Sequence, residues 1–159
     1  PLLSAVVDRK LTQFATDANG VMRKLEKDRY IFLLSKGDLE ALKEKYPLAI
    51  VSNKPDAAVK ALCADYFPGI YALGEAADCP RKPAADMVFK AMKAIGCETC
   101  VYVGDSEVDV LTAKNAGVPC VCVLWGFRDR EDMEAVGAEY FCRTPEEMEQ
   151  TIRKIAESF

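Results

Sequence analysis

The stretch VYVGDSEVDV, Val101 to Val110, decides the reading of this chain. Val101-Tyr102-Val103 is a short apolar run, and Gly104 stops it. A run of that length, apolar at successive positions, fits a strand buried on both faces. Ser106 stands where a helix should begin, and Gly117 where that helix should end. The strand therefore delivers Asp105 to its C-terminal end. Asp109 follows one helical turn later and points back along the helix toward the same spot.

The same rhythm repeats outward from this stretch. Leu48 to Val51 is apolar and ends in the polar Ser52-Asn53-Lys54, and Pro55-Asp56 opens a helix reaching about Tyr66. Ile70 to Leu73 reads as a further strand. Pro83 opens a helix that turns Met87, Val88, Ala91, Met92 and Ile95 inward and stops at Gly96. Cys120 to Leu124 reads as a strand, Glu131 to Val136 as a short helix, and Tyr140-Phe141 as a short strand. Thr144-Pro-Glu-Glu147 is a capping box with proline at the first helical position of the last helix. Continuously apolar strands alternating with helices predict an α/β fold, a Rossmann-like parallel sheet with helices on both faces, over residues 36–159.

Residues 1–35 follow another pattern. Leu3, Val7, Leu11 and Phe14 recur at steps of three and four, which predicts helix within residues 1–28. Asn19-Gly20 reads as a turn before a second short helix from Val21 to Lys27. Ile31 to Leu34 fits strand or helix, and Asp38 to Tyr46 a charged helix. The segment is expected to be a partial helical cap or a rearranged N-terminal piece.

The composition removes several function classes. The chain has 159 residues and no histidine, which excludes Ser-His and Cys-His nucleophile pairs and every His-ligated metal site. Acid–base work falls to Asp, Glu, Lys, Tyr or Cys. The formal charge is −4 and no basic run occurs, which argues against nucleic acid as partner. No apolar run approaches the roughly 20 residues of a membrane span, and no signal-peptide pattern opens the chain. Seven cysteines, an odd number outside any small secreted framework, read as reduced thiols of a cytoplasmic protein. The oligomeric state is not legible.

In parallel sheets the active groups lie just past the C-terminal strand ends. There the sequence places Ser52 and Asn53, then Asp105. A hydroxyl and backbone N–H groups after a strand can bind phosphate oxygens. Lys82, just before a helix proline, can neutralise a phosphoryl anion. Asp105 can bind Mg²⁺, which takes carboxylate and phosphate oxygens. Asp109 can hold the lysine or a metal-bound water. Taken singly, Ser52-Asn53 reads as a helix cap, Lys82 as a solvated lysine and Gly104-Asp105 as turn chemistry. Their joint occurrence at strand and helix mouths is what suggests a phosphate clamp of the kind phosphoryl transfer needs.

The segments VSNK (51–54), RKP (81–83), VGDSEVDVLTAKNAG (103–117) and LWGFRDR (124–130) resemble motifs II, III and IV and their flanks in the haloacid-dehalogenase-like (HAD) phosphatases. The nearest branch is that of the phosphoglycolate phosphatases, and the resemblance covers about residues 36–157. It implies a Mg²⁺-dependent phosphatase acting on a small phosphorylated metabolite through an aspartyl-phosphate intermediate. Ser52 would bind the transferring phosphoryl group and Lys82 would stabilise the intermediate. Asp105 would ligate Mg²⁺ with Asp109 in support, and Asn53 would lie beside the substrate.

The family's first motif, DxDGT, is not matched. The nearest stretch is Asp8-Arg9-Lys10-Leu11-Thr12, where Lys10 replaces the second aspartate and no glycine follows. The helical spacing around it reads Asp8 as a surface residue. Ala18 to Leu25 resembles part of the family's helical cap. The expectation is therefore a chain starting after that motif with a shortened or incomplete cap. A sheet lacking its central strand would leave backbone groups unpaired, so residues 5–7, residues 31–34 or a segment from elsewhere must fill the gap.

Two rival readings stand beside the enzyme. One is a non-catalytic module that binds phosphate or Mg²⁺ without a nucleophile. The other takes Cys97-Glu-Thr-Cys100 and Cys120-Val-Cys122 as zinc ligands, against their plainer reading as small buried hydrophobes. Trp125, Phe127 and Arg128 follow a strand end and border either the core or a substrate entrance.

Overall fold

The computed structural model describes residues 2–5, 15–16, 22–23, 36–126 and 128–159. In chain order the elements are β1 (Leu2–Ala5), β2 (Ala15–Thr16), β3 (Met22–Arg23), α1 (Lys36–Lys45), β4 (Leu48–Pro55), α2 (Asp56–Tyr66), β5 (Tyr71–Glu75), α3 (Asp86–Ala94), β6 (Cys100–Gly104), α4 (Glu107–Ala116), β7 (Cys120–Val123), α5 (Arg130–Glu134), β8 (Tyr140–Cys142) and α6 (Pro145–Ala156). Six strands form one sheet in the order β5-β4-β1-β6-β7-β8, and every neighbouring pair is parallel. β2 and β3 form a separate antiparallel pair.

Alternation within the strands builds the two faces. Ile50, Val101, Val103, Val121 and Val123 pack with Leu39 and Leu42 of α1, Val59 and Cys63 of α2, and Met148 and Ile152 of α6. Ala49, Val51, Cys100 and Tyr102 turn the other way, against Met87, Val88, Ala91 and Met92 of α3 and Ala113 of α4. Val110 of α4 and Met133 of α5 close over Cys122. Burial on both faces is why these strands read as continuous apolar runs. The parallel sheet with two covering layers agrees with the expected fold class.

The N-terminal reading needs correction. Leu2–Ala5 is a strand, not a helix, and so are residues 15–16 and 22–23. β1 lies at the sheet centre and pairs with β4 on one side and β6 on the other. Spacing alone cannot separate a short apolar run in a strand from one in a helix. Here the unpaired edges of β4 and β6 decide, because a gap would leave two rows of buried N–H and C=O groups without partners. Asp8, Ile31 to Leu34 and Phe127 lie outside the described residues.

The helix ends follow their sequence signals more closely. The Thr144 hydroxyl accepts the Glu147 N–H at 3.2 Å, and the Glu147 carboxylate reaches back to the Arg143 N–H at 2.8 Å, closing the N-terminus of α6. Gly117, at φ 70°, ends α4 in the left-handed conformation that glycine adopts without strain.

Candidate active site

The site lies at the C-terminal edge of the sheet, where register sets its width. Ala5 of β1 pairs with both Ile50 and Val103. Two residues further, Ser52 and Asp105 therefore stand level with each other across the central strand. Two strand spacings put their Cα atoms about 10 Å apart.

β4 does not end cleanly at Ser52. Val51 pairs with Leu73 and Pro55 with Glu75, so four steps of β4 oppose two of β5. The extra residues arch Ser52, Asn53 and Lys54 out of the ladder, as bulges do beside functional sites. Gly74 makes room for the arch, since a Cβ there would lie 2.5 Å from the Lys54 carbonyl oxygen. The Gly74 N–H is in turn satisfied by Asp56 Oδ1 at 2.9 Å.

Among the described residues the buried polar side chains are Ser52, Lys82, Asp105, Ser106, Asp109 and Thr112. Thr112 is accounted for by a local bond to the Val108 carbonyl. The other five gather at this edge. Buried polar groups are costly unless partnered, so their concentration here requires a network.

That network is centred on Asp109. Its Oδ1 accepts from Lys82 Nζ at 2.9 Å and from the Tyr102 hydroxyl at 3.3 Å. Its Oδ2 accepts from the Ser106 hydroxyl at 2.8 Å and from the Asp105 N–H at 3.1 Å. Four donors thus surround one carboxylate, which also sits in the first turn of α4, where the helix dipole favours negative charge. Burial would push this carboxyl up, but the Lys82 ammonium and the Ser106 and Asp105 donors hold it below the usual carboxylate range. Lys82 and Asp109 side chains are 0% and 1% exposed, so the ion pair is fully desolvated.

Asn53 takes hold of the other end of Lys82. Its Oδ1 accepts the Lys82 N–H at 2.6 Å, and its Nδ2 donates to the Lys82 carbonyl at 3.1 Å. A continuous chain of contacts therefore runs from β4 through Asn53, Lys82 and Asp109 to the backbone of Asp105. Ser52, Lys82 and Asp105, expected to share one site, are brought to one sheet edge. Of the two tasks open to Asp109, holding the lysine or supporting a metal, the contacts here serve the first: its two oxygens accept from four protein donors, Lys82 among them. Asn53, expected beside substrate, has its amide on the Lys82 backbone.

Two glycines set the spacing. A Cβ on Gly104 would lie 2.2 Å from Asp109 Cβ, and one on Gly126 would lie 2.3 Å from Asp105 Cβ and 2.6 Å from its Oδ2. The segment after β7 is pinned over Asp105 by the Arg128 N–H, which donates to the Asp105 carbonyl at 3.3 Å, and by an ion pair from Arg128 to Glu107 at 3.0 Å. Gly104→Ala is expected to destabilise the protein by about 1–3 kcal/mol, the usual cost of overpacking. Urea denaturation reads this directly, and an unchanged midpoint would contradict the close approach of β6 and α4.

Gly104 and Gly126 stand at strand ends in the sequence reading, but Tyr102 and Ser106 are not among its site residues. A phenol inside an apolar strand needs a buried partner, and Ser106 with Asp109 three residues on has the form of a capping pair. Those two signals were available.

The cysteines behave otherwise. Cys120 and Cys122 face the same side with their sulfurs 4.0 Å apart, and burial pushes the Cys100 thiol up to about 12. Among the described residues no three His, Cys, Asp or Glu side chains are grouped to hold a metal ion, so the zinc reading gains no support there. A surface cavity of about 470 Å³, lined by Lys43, Tyr46, Leu48, Ile70, Tyr71 and Ile95, opens at the opposite, N-terminal ends of β4 and β5. No helix among the described residues is long and apolar enough to cross a membrane.

Comparison with known proteins gives a consistent picture. A family model described as HAD-hydrolase-like matches residues 79–148. A phosphoglycolate phosphatase of Rhodobacter capsulatus is 32% identical over 134 residues, 80% of this chain and 57% of that protein. A phosphoglycolate phosphatase of Xanthomonas campestris is 46% identical over 54 residues, 33% of this chain and 24% of that protein. Among solved structures, a candidate phosphoglycolate phosphatase from Lactobacillus delbrueckii subsp. bulgaricus superposes with a TM-score of 0.70 at 40% identity, covering 74% of this chain and 51% of that one. A hydrolase from Pseudomonas syringae superposes with a TM-score of 0.64 at 26% identity, covering 76% and 58%. The chain thus spans 57% of the Rhodobacter capsulatus protein and 51% of the Lactobacillus delbrueckii one.

Proposed function

As the chain belongs to the haloacid-dehalogenase-like hydrolases, we propose that it forms the core of a phosphatase hydrolysing a small phosphate monoester of the phosphoglycolate kind. The observation that carries this is the buried Lys82–Asp109 pair at the sheet edge that also carries Ser52, in the arch of β4, and Asp105, just past β6. This edge of the sheet offers a cation, a hydroxyl and a carboxylate together.

Each group then has a task. The Ser52 hydroxyl and the backbone around it orient the phosphoryl oxygens. The Lys82 ammonium, fixed by Asp109, neutralises charge as the phosphoryl group transfers; preorganised charge of this kind is the main catalytic resource in phosphoryl transfer. Asp105, its carboxylate against Gly126 in a cradle that a Cβ would fill, suits a hard cation. Mg²⁺ bound there would neutralise phosphate oxygens. The attacking carboxylate comes from outside the described residues. β1 runs parallel to β4 and β6, and the first carboxylate after it in sequence is Asp8, three residues beyond Ala5. Because Leu2–Ala5 is a strand, the helical spacing that read Asp8 as a surface residue no longer holds, and we assign the nucleophile to Asp8.

A panel of small phosphate monoesters, phosphoglycolate included, incubated with the protein with and without Mg²⁺ tests the reading. Mg²⁺-dependent phosphate release that vanishes in Asp8→Asn supports it. Phosphate binding without turnover of any ester would leave the non-catalytic module instead. Turnover retained by Asp8→Asn would remove Asp8 from the chemistry.

A further inference from the structure

We propose that Asn53 is a positioning residue that fixes the backbone of Lys82, not a substrate ligand; its kinetic consequence rests on the phosphatase reading, its structural consequence does not. A long lysine side chain is useful in a preorganised site only if both its ends are held, because free rotamers would scatter its charge. Asp109 holds the ammonium. The other end lies in the irregular segment between β5 and α3, where no strand or helix ladder fixes Lys82. Asn53 supplies the missing ladder. It accepts the Lys82 N–H at 2.6 Å and donates to the Lys82 carbonyl at 3.1 Å, the two bonds a neighbouring strand would make, across 29 residues of chain.

The arch in β4 gains a purpose from this. The register shift between Val51 and Pro55 takes Asn53 out of the β5 ladder and frees its side chain for Lys82. Asparagine is the fitting residue, since one short planar amide carries both an acceptor and a donor. The geometry of Lys82 is thereby tied to the strand that carries Ser52.

The test compares wild type with Asn53→Ala, Asn53→Asp, Lys82→Ala and the double variant Asn53→Ala/Lys82→Ala. Asn53→Asp keeps an acceptor toward the Lys82 N–H but sets a second acceptor against its carbonyl, and it serves as a near-isosteric replacement if the alanine variant does not fold. Acetylation by acetic anhydride, followed residue by residue by mass spectrometry, reads how well Lys82 is held, with the exposed Lys60 as reference. Lys82 is expected to react about 10-fold faster in Asn53→Ala, the scale set by losing two hydrogen bonds to one residue, and faster than wild type by a smaller factor in Asn53→Asp, which loses one. With ester substrate, kcat should fall about 10- to 100-fold with KM little changed. Asn53→Ala should add nothing in the Lys82→Ala background. Unchanged Lys82 acetylation in both Asn53 variants overturns the proposal, as does a raised KM with kcat unaltered. If wild type hydrolyses no ester while Lys82 acetylation still responds to Asn53, the positioning role stands and the phosphatase reading falls.

Discussion

Asp105→Asn is expected to lower phosphate release at least about 100-fold, because it removes the carboxylate that suits the metal. The change is nearly isosteric, which matters here because Gly126 leaves no spare room around this side chain. The backbone N–H of residue 105 still donates to Asp109, so the network that holds Lys82 survives. The melting temperature should move by less than about 3 °C, equivalent to roughly 1 kcal/mol for a chain of this size. Raising Mg²⁺ should recover part of the loss if affinity, and not folding, is what the substitution removes. Turnover like that of wild type at limiting Mg²⁺ would strip Asp105 of its role. A loss of activity matched by a loss of fold would show that the residue acts structurally.

How far the sequence predicts this site depends on where each residue's partners lie. Ser52, Lys82 and Asp105 are legible because each stands at the mouth of an element, and chain order alone brings such mouths to one edge of a parallel sheet. Asn53 is legible as a site residue but not in its task, since its partner is backbone 29 residues away. Tyr102 hides in an apolar run, where the phenol ring packs as a hydrophobe and only its hydroxyl joins the network. The same division holds for the fold. β4, β6 and β7 announce themselves by continuous apolar runs with polar ends. β1 does not, because four residues carry too little pattern to oppose a coincidental helical spacing. Pairing on both sides, a property of the finished sheet, decides that segment.

Asp109→Asn should be the most destabilising single change at the site. It removes the carboxylate from the buried Lys82–Asp109 pair, and breaking a buried pair from one side costs about 3–5 kcal/mol at neutral pH. Asparagine also replaces one acceptor oxygen by an N–H₂ group facing donors already in place. On Oδ1 those are Lys82 and Tyr102; on Oδ2 they are Ser106 and the Asp105 N–H. Either orientation of the amide sets donors against donors. The pH dependence fixes the cause. The folded-state pKa of Asp109 lies below its ordinary value of 3.8. In the window between the two, the unfolded chain binds more protons than the folded one, so stability rises with pH. The contribution of this carboxylate is therefore complete above about pH 4 and is lost as pH falls toward the folded-state value. Urea denaturation of wild type and variant at pH 7 and again near pH 3 should show the gap between them closing at the lower pH. A gap of equal size at both would mean that packing, not the charge of Asp109, stabilises this edge of the sheet. Asp109 would then be a spacer between β6 and α4.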